Sequence, residues 1–577
     1  MAGLAERARL PALPLRVETK TALHLLLLLV LAGLVLYPIF LLLQNSFNVA
    51  RPGQPAEYTL ENWRFAFTNP GMRKAIINTL TLLITREGIA LLVAVPMAWI
   101  LARTDLPHKG WIELGLWVTF FLPTLPVTMG WILLLDPNYG VINTTLERLP
   151  FINESPFDIY SWWGIVWVHL MTSSIAFKAV MLAPAFRNIS SALEESSRMA
   201  GESAIGTFRK IVLPLAMPSI IVITLIALVI SFQAFEIEQV LGPLRNIEVF
   251  STKIFQLLRR TPVDFGAATA LAFVIILGLI PLAVFQYWYV GRRRYETLTG
   301  QFQANLFRLG RWRWVFFGAF AAYLTLALVL PSSFLFVGTF MKLWGYFTGL
   351  PEPWTLDNWR EVLTDSLFLG SLRSTLIIGF GSALLGIVWF SLIAYVIVRT
   401  KFRLRMGLDF LSWLPWALPG IILGLGFLWM VLGVPILRPL HSTTFVLILI
   451  VTLGSITVGT QMFKSNLLQL GHDMEEASRI SGGSWLYTYR RVLLPLMTPT
   501  VISVGLVTFV FAARDVSRVA LLASSQNRPL ALLQLDFLTG YNLEAASVVG
   551  VIIIFLTTGV AVAARLIGLR IGIQSSV

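Results

Sequence analysis

Charged side chains set inside apolar sequence are where chemistry in this chain would have to sit. Glu236 and Glu238 fall in SFQAFEIEQV, and Arg514 and Asp515 in FVFAARDVSRV, each closing a long apolar run. An ionised group in hydrocarbon is costly unless it is paired or faces water, so such residues mark an ion pathway or a structural pair. Aligned with a two-residue gap, at an offset of 279, Phe232 matches Phe511 and Glu236 matches Asp515. That alignment sets two carboxylates against each other across a twofold. Hard oxygen donors suit a hard metal ion and equally suit an organic cation. Glu236 and Asp515 are therefore the candidate metal pair, with Glu238 and Arg514 beside them on a candidate pathway. The structural alternative is an ion pair in which Arg514 neutralises Glu236 or Asp515, while Glu238 reaches the membrane interface.

Other groups offer less. Arg86 and Glu87 lie in a second apolar run, where they either pair with neighbours or face a central cavity. Lys178 is expected to snorkel to water, and His169 to be a satisfied core or interfacial histidine. The five histidines are scattered and cysteine is absent, so no thiolate metal site and no cysteine nucleophile exist. GESAIGT, from Gly201 to Thr207, has the glycine spacing of a phosphate loop without its lysine. The charge that would meet the β- and γ-phosphates is missing, and the match is a chance one. No cluster resembles the constellation of a membrane-embedded enzyme.

The elements that hold these residues are membrane helices. The chain has 577 residues, 56% hydrophobic and 13% charged, with mean hydropathy +0.76. Apolar runs of about 20 residues cross a hydrocarbon layer as helices. Twelve spans are expected: 22–43, 77–101, 112–135, 162–184, 217–240 and 266–290, then 314–338, 373–398, 408–433, 442–463, 498–522 and 546–568. The net charge of +14 collects in particular loops, which argues for membrane topology and against nucleic-acid binding. Arg7, Arg9, Arg16 and Lys20 precede the first span, which is too long for a signal peptide's apolar core and reads as a retained helix. The loop after span six carries Arg292, Arg293, Arg294, Arg308, Arg311 and Arg313; the loop at 136–161 is acidic. N- and C-termini are expected in the cytoplasm. Trp162, Trp163, Trp312 and Trp314 read as interface anchors.

The two sets of six repeat. YTLENW at 58–63 matches WTLDNW at 354–359 at an offset of 296, and so do Ala98-Trp99 with Ala394-Tyr395, Arg103-Thr104 with Arg399-Thr400, and Glu113 with Asp409. The third spans carry LPTLP and LPWALP. Six spans per repeat give both halves the same orientation and a pseudo-twofold along the membrane normal. The expected halves are 1–300 and 301–577.

Between spans four and five, and again between ten and eleven, the chain writes one polar sentence twice. EESSRMAGESAIGTFRKIVLP from Glu194 recurs as EEASRISGGSWLYTYRRVLLP from Glu475, offset 281 without a gap. We refer to the two stretches, 187–214 and 466–495, as the elbows. Each reads as two short helices. Ser191 with Glu194, and Asp473 with Glu476, have capping-box spacing. Gly201 and Gly482 suit a left-handed turn, Ser203 and Ser484 a second cap, and Pro214 and Pro495 the turn into the next span. Phe208 and Tyr489 offer aromatic anchors for a partner's groove. Lying flat on anionic lipid is the alternative for such a helix.

The pattern Glu-Ala-Ala, three residues, Gly, nine residues, Ile, one residue, Leu-Pro resembles the cytoplasmic signature of permeases from binding-protein-dependent ABC importers. Glu195, Gly201, Ile211, Leu213 and Pro214 match in the first half, and Glu476, Ala477, Gly482, Leu494 and Pro495 in the second. Ser196-Ser197, Ser478 and Val492 are small or apolar departures. The resemblance implies an all-α, type I permease-like fold of two fused six-helix halves in the inner membrane. It implies coupling helices that dock on two copies of an ABC ATPase subunit, where ATP and Mg bind, this chain binding no cofactor. It further implies a periplasmic or extracellular solute-binding protein as partner. The fused organisation, and GRRRYETLTGQ at 291–301, look most like ferric-iron permeases; thiamine, polyamine and phosphonate permeases share the signature. A secondary transporter driven by an ion gradient is the rival from another class.

Overall fold

The computed structural model describes residues 19–50, 54–152, 154–292, 307–345 and 352–570. Arg7, Arg9, Arg16 and nearly all of the 291–301 segment lie outside them. Among the described residues the chain is helical, with three isolated β-bridges. Nine helices among the described residues are individually long and apolar enough to cross a membrane, and counting each of three bent pairs as one span gives twelve.

In the first half, span one is Thr19–Ser46, two is Pro70–Arg103, four is Trp162–Arg187, five is Ala204–Ser231 and six is Phe265–Arg292. In the second half, span seven is Trp312–Gly338, eight is Ser366–Arg399, ten is Thr444–Gln469 and twelve is Leu543–Arg570. Spans three and nine are broken. Lys109–Phe121 meets Thr124–Leu135 at 99°, and Arg405–Ala417 meets Gly420–Gly433 at 112°. Each break falls at a Leu-Pro pair, Leu122-Pro123 and Leu418-Pro419, where proline excludes the preceding residue from helical geometry.

Spans five and eleven depart from the expected bounds. Span five starts at Ala204 and runs through Pro214 without a turn, so the expected second helix of the first elbow is the beginning of this span. A π-helical turn, Phe208–Val212, precedes the proline, and its wider winding accommodates the missing donor. In the second half Tyr489–Leu493 does the same before Pro495, but the chain then bends by 79° at Met497. The upper ends are short of expectation too. Span five stops at Ser231, and Glu236–Leu241 is a separate short helix; span eleven stops at Arg514.

The halves are stitched by their first spans. Span one packs on the second limb of span nine, and span seven on the second limb of span three. A Cβ on Gly426 would collide with Pro38, and one on Gly130 with the Pro331 carbonyl. Gly130 and Gly426 are 296 residues apart, so the same glycine-to-proline crossing is used twice in reciprocal directions. At the end of the molecule away from the elbows, the repeated TLENW and TLDNW motifs fold a hairpin after spans one and seven. Asn62 donates to the carbonyl of Asn48 (2.9 Å) and Trp63 to the Ser46 hydroxyl (3.0 Å); Asn358 and Trp359 repeat this with Met341 (2.8 Å) and Thr339 (2.9 Å). In the loop after span three, Tyr160 donates to Asp136 (2.7 Å), and burial beside that carboxylate pushes its phenol well above the ordinary range.

Candidate functional site

The elbows are built alike from their own residues. The first helix of each, Ser191–Met199 and Asp473–Ile480, ends in a left-handed glycine, Gly201 at φ +90° and Gly482 at +83°. An L side chain rarely adopts that backbone, which accounts for the glycine. The Ser203 hydroxyl then accepts from the Gly206 N–H (3.1 Å) and Ser484 from that of Tyr487 (3.2 Å), the caps expected. Ser197 bonds Thr207 (3.1 Å) and Ser478 bonds Thr488 (2.8 Å), closing each bend on itself.

The capping boxes do not form. The N-cap positions are Ser190 and His472, one residue ahead of those expected, and neither makes a side-chain cap bond. The acidic residues go elsewhere. Glu194 is buried and meets Arg103, the last residue of span two, at 2.8 Å; Glu475 is buried and meets Arg399, the last residue of span eight, at 3.0 Å. At Glu194 a buried ion pair takes the carboxylate that cap spacing had assigned to the helix start, whereas in the second elbow the paired acid is Glu475 and not the cap-spaced Glu476. Glu195 and Glu476, one residue on, are exposed.

Phe208 and Tyr489 also turn inward, against the expectation that they anchor a partner. Phe208 packs on Trp99 (5.1 Å between centroids), and Tyr489, 6% exposed, reaches the Ser391 hydroxyl (2.5 Å) and packs on Tyr395 (6.2 Å). What faces out are three matched apolar pairs, each 281 residues apart: Leu193 and Met474, Met199 and Ile480, Ile205 and Leu486. Met199 and Ile480 are 84% and 88% exposed. Pro214 and Pro495 are exposed within the helices that follow.

The second feature is the crossing of the broken helices. Proline breaks free backbone carbonyls, and in an apolar interior these need donors. Arg514 donates to the carbonyls of Phe120 (3.2 Å) and Leu122 (3.4 Å) at the break of span three, and lies 4.9 Å from the Phe511 ring. Gln233 donates to the Trp416 carbonyl (2.9 Å) at the break of span nine. Gln233 and Arg514 are 281 apart, Phe120 and Trp416 are 296 apart, and each donor serves the opposite half. The elbow offset thus continues ungapped to the crossing, which corrects the gapped pairing of Glu236 with Asp515. The counterpart of Glu236 is Ser517: Glu236 reaches the Thr124 hydroxyl, and Ser517 lies against Gly420. Glu236, Arg514 and Asp515 are electrostatic neighbours even so. Asp515 is paired with Arg518, a residue that sequence reasoning did not single out, and not with Arg514. By formal count Glu236 and Asp515 balance Arg514 and Arg518 at the crossing. Among the described residues no three His, Cys, Asp or Glu side chains gather to hold a metal.

Glu238 belongs to a third feature, confined to the first half. It is 1% exposed, not interfacial, and accepts from His169 Nε2 (2.8 Å) with Arg86 at 3.6 Å. Arg86 bonds the Ser231 carbonyl, and Ser231 donates to Glu87 (2.5 Å). Lys178 does not snorkel; it is 1% exposed and 2.7 Å from Glu87. Its charge is met within 3 Å, so reaching for water would gain it nothing. His169 is a satisfied core histidine, as expected.

Two repeated halves, paired elbows and a seam of broken helices accompany a match to a known family. The description "binding-protein-dependent transport system inner membrane component" matches residues 73–295 and 385–572, and the chain belongs to that family. It is therefore a multi-pass inner-membrane permease component of an ABC-type importer, a family other than the ion-gradient transporters.

Particular relatives follow. The chain is 26% identical over 376 residues, 64% of its length, to the ferric transport system permease protein FbpB of Actinobacillus pleuropneumoniae. It is 25% identical over 503 residues to the "Probable ABC transporter permease protein y4fN" of Sinorhizobium fredii, covering 83% of this chain and 84% of that one. It is 27% identical over 237 residues to the spermidine/putrescine transport system permease protein PotB of Escherichia coli, 41% of this chain and 83% of that one. The match spans 53% of the Actinobacillus protein, little more than half its length. A chain of a solved bacterial ABC transporter involved in alginate import aligns at 22% identity over 47% of this chain and 94% of that one, with TM-score 0.38.

Proposed function

We propose that the chain is the fused permease of a ferric-iron importer, with halves 1–300 and 301–577 related by the pseudo-twofold. Two copies of one ABC ATPase dock on the elbows from the cytoplasm, where both termini also lie. A periplasmic binding protein docks on the opposite end, around 45–74 and 339–371. The single observation that carries this reading is the repeated outward triad of apolar side chains on two elbows otherwise held by inward ion pairs. A symmetric partner pair needs matching surfaces, and exposed Met, Ile and Leu on short helices suit a groove. Glu195, Gly201, Phe208, Pro214, Glu476, Gly482, Tyr489 and Pro495 then serve coupling. Glu195 and Glu476 face the partner, the glycines set the bend, and Phe208 and Tyr489 bind the elbow to spans two and eight. The hairpins at the far end carry their own matched exposed residues, Tyr58 with Trp354 and Leu60 with Leu356.

Ferric iron is the cargo assigned, supported by kinship to ferric permeases over 64% of the chain. Thiamine, polyamine and phosphonate are the alternatives, and the PotB relative favours polyamine among them. Formal charge balance among Glu236, Asp515, Arg514 and Arg518 supports a passage that leaves selection to the binding protein. The test is reconstitution with the ATPase and a ferric-loaded binding protein. Gly201→Pro and Gly482→Pro should insert normally and abolish stimulated ATPase activity, because proline fixes φ near about −65° where the fold needs it positive. Normal coupled transport by both variants would sink the docking role, and uptake of a polyamine without iron would sink the cargo.

A further inference from the structure

We infer that Phe307, just ahead of span seven, is a positioning residue of the first elbow, filling there the place that Trp485 fills in the second; this rests on the elbows being the ATPase docking points. In the second elbow Trp485 stacks on Tyr489 (5.7 Å, 17°) and meets Tyr395 edge-on (5.8 Å, 64°), so three rings fix the bend to span eight. The residue 281 places earlier than Trp485 is Ala204, which has no ring to give. Trp99 and Phe208, the counterparts of Tyr395 and Tyr489, still meet in the first elbow. The third ring is Phe307, which lies 6.1 Å from Trp99, and the Arg198 guanidinium sits 4.9 Å from its centroid. Arg198 is itself on the elbow's first helix, so Phe307 touches both parts of the joint.

The backbone holds it there. Phe307 N–H donates to the Arg103 carbonyl (2.8 Å), and Asp105 N–H donates to the Phe307 carbonyl (3.2 Å). Leu309 N–H donates to Asp105 Oδ1 (2.7 Å). Arg103 is the residue that pairs with Glu194, so Phe307, the end of span two and the elbow form one unit. At the position matching Asp105 the second half has Lys401, which has no oxygen to accept such a bond. The device belongs to the first half alone, and a residue from the second permease half thereby positions the elbow of the first.

The test compares Phe307→Ala, Asp105→Lys and the pair Phe307→Ala with Ala204→Trp, in the full chain assembled with its ATPase. Two readouts are taken: binding-protein-stimulated over basal ATPase activity, and amide exchange of 191–213 against 473–494. Phe307→Ala should cut stimulation about fivefold, the scale of one aromatic contact, and raise exchange in 191–213 only. Asp105→Lys should do the same more weakly, and Ala204→Trp should restore both in the Phe307→Ala background. Unchanged exchange in 191–213, or no restoration by the added tryptophan, would overturn the proposal. If the unaltered chain retains no ATPase, the docking reading fails, while the exchange measurement still decides whether Phe307 positions the elbow.

Discussion

The two halves agree at their elbows and disagree in their interiors. Arg103 with Glu194 and Arg399 with Glu475 are the same joint written twice, whereas the lattice of Arg86, Glu87, His169, Lys178, Ser231 and Glu238 occurs once. At the offset of 296, Arg86 and Glu87 become Ser382 and Ala383, and span ten holds a single charge, Lys464. Hydroxyls and close packing fill that region instead: Ser382 donates to the Ile448 carbonyl (3.3 Å), and Phe390 packs against Gly459. The matching region of the second half packs without ions, so the architecture does not require them there. Replacing a buried ion cluster by packed side chains is often neutral in stability. The joint recurs in both elbows, whereas the solitary lattice fastens spans two, four and five to the short helix that carries Glu238 in the first half alone.

That comparison is open to attack at four points. The largest effect is expected from Arg103→Ala and Arg399→Ala, each of which takes the nearest cation from a buried glutamate at a cost of about 3–5 kcal/mol, Glu475 keeping only Arg479 at 3.9 Å and the Tyr395 hydroxyl at 3.4 Å. Equal falls in melting temperature and in stimulated ATPase activity would sustain the equivalence of the elbows, and unequal falls would break it. Glu238→Gln should come next, at about 2 kcal/mol, because it uncouples both His169 and Arg86, while Ser382→Ala in the second half should cost under about 1 kcal/mol. Denaturation midpoints in detergent compare the two. Arg514→Ala and Gln233→Ala each orphan carbonyls at a helix break; about 2 kcal/mol for the charged donor and about 1 for the neutral one should separate them. Smallest in stability are Met199→Ser and Ile480→Ser, which touch only exposed side chains. They should leave melting unchanged and weaken ATPase retention about tenfold each, read by co-purification at graded dilution.

Most of the architecture is legible in the amino-acid sequence, because period, proline and charge act locally. The twelve spans and the duplicated elbows follow from those signals, as do the glycine turns and their serine caps. What sequence reasoning misplaces are residues whose type serves two physical ends. Glu194 has the spacing of a cap and the burial of an ion-pair partner, and spacing alone cannot choose between them. Chemistry aligns Glu236 with Asp515, but the fold equates positions by place, which pairs Glu236 with Ser517. His169 and Lys178 meet partners 69 and 91 residues away on other elements, a proximity no local pattern encodes.

The side chains that cap the broken helices carry a further consequence. Gln233 and Arg514 each reach over to satisfy carbonyls belonging to the opposite half. Any parting of the halves along that seam strands those oxygens at once, and only incoming solvent can answer them. Were the halves to part there, wetting and widening would be a single thermodynamic event, and a dry gap along the seam is not a state this backbone can hold.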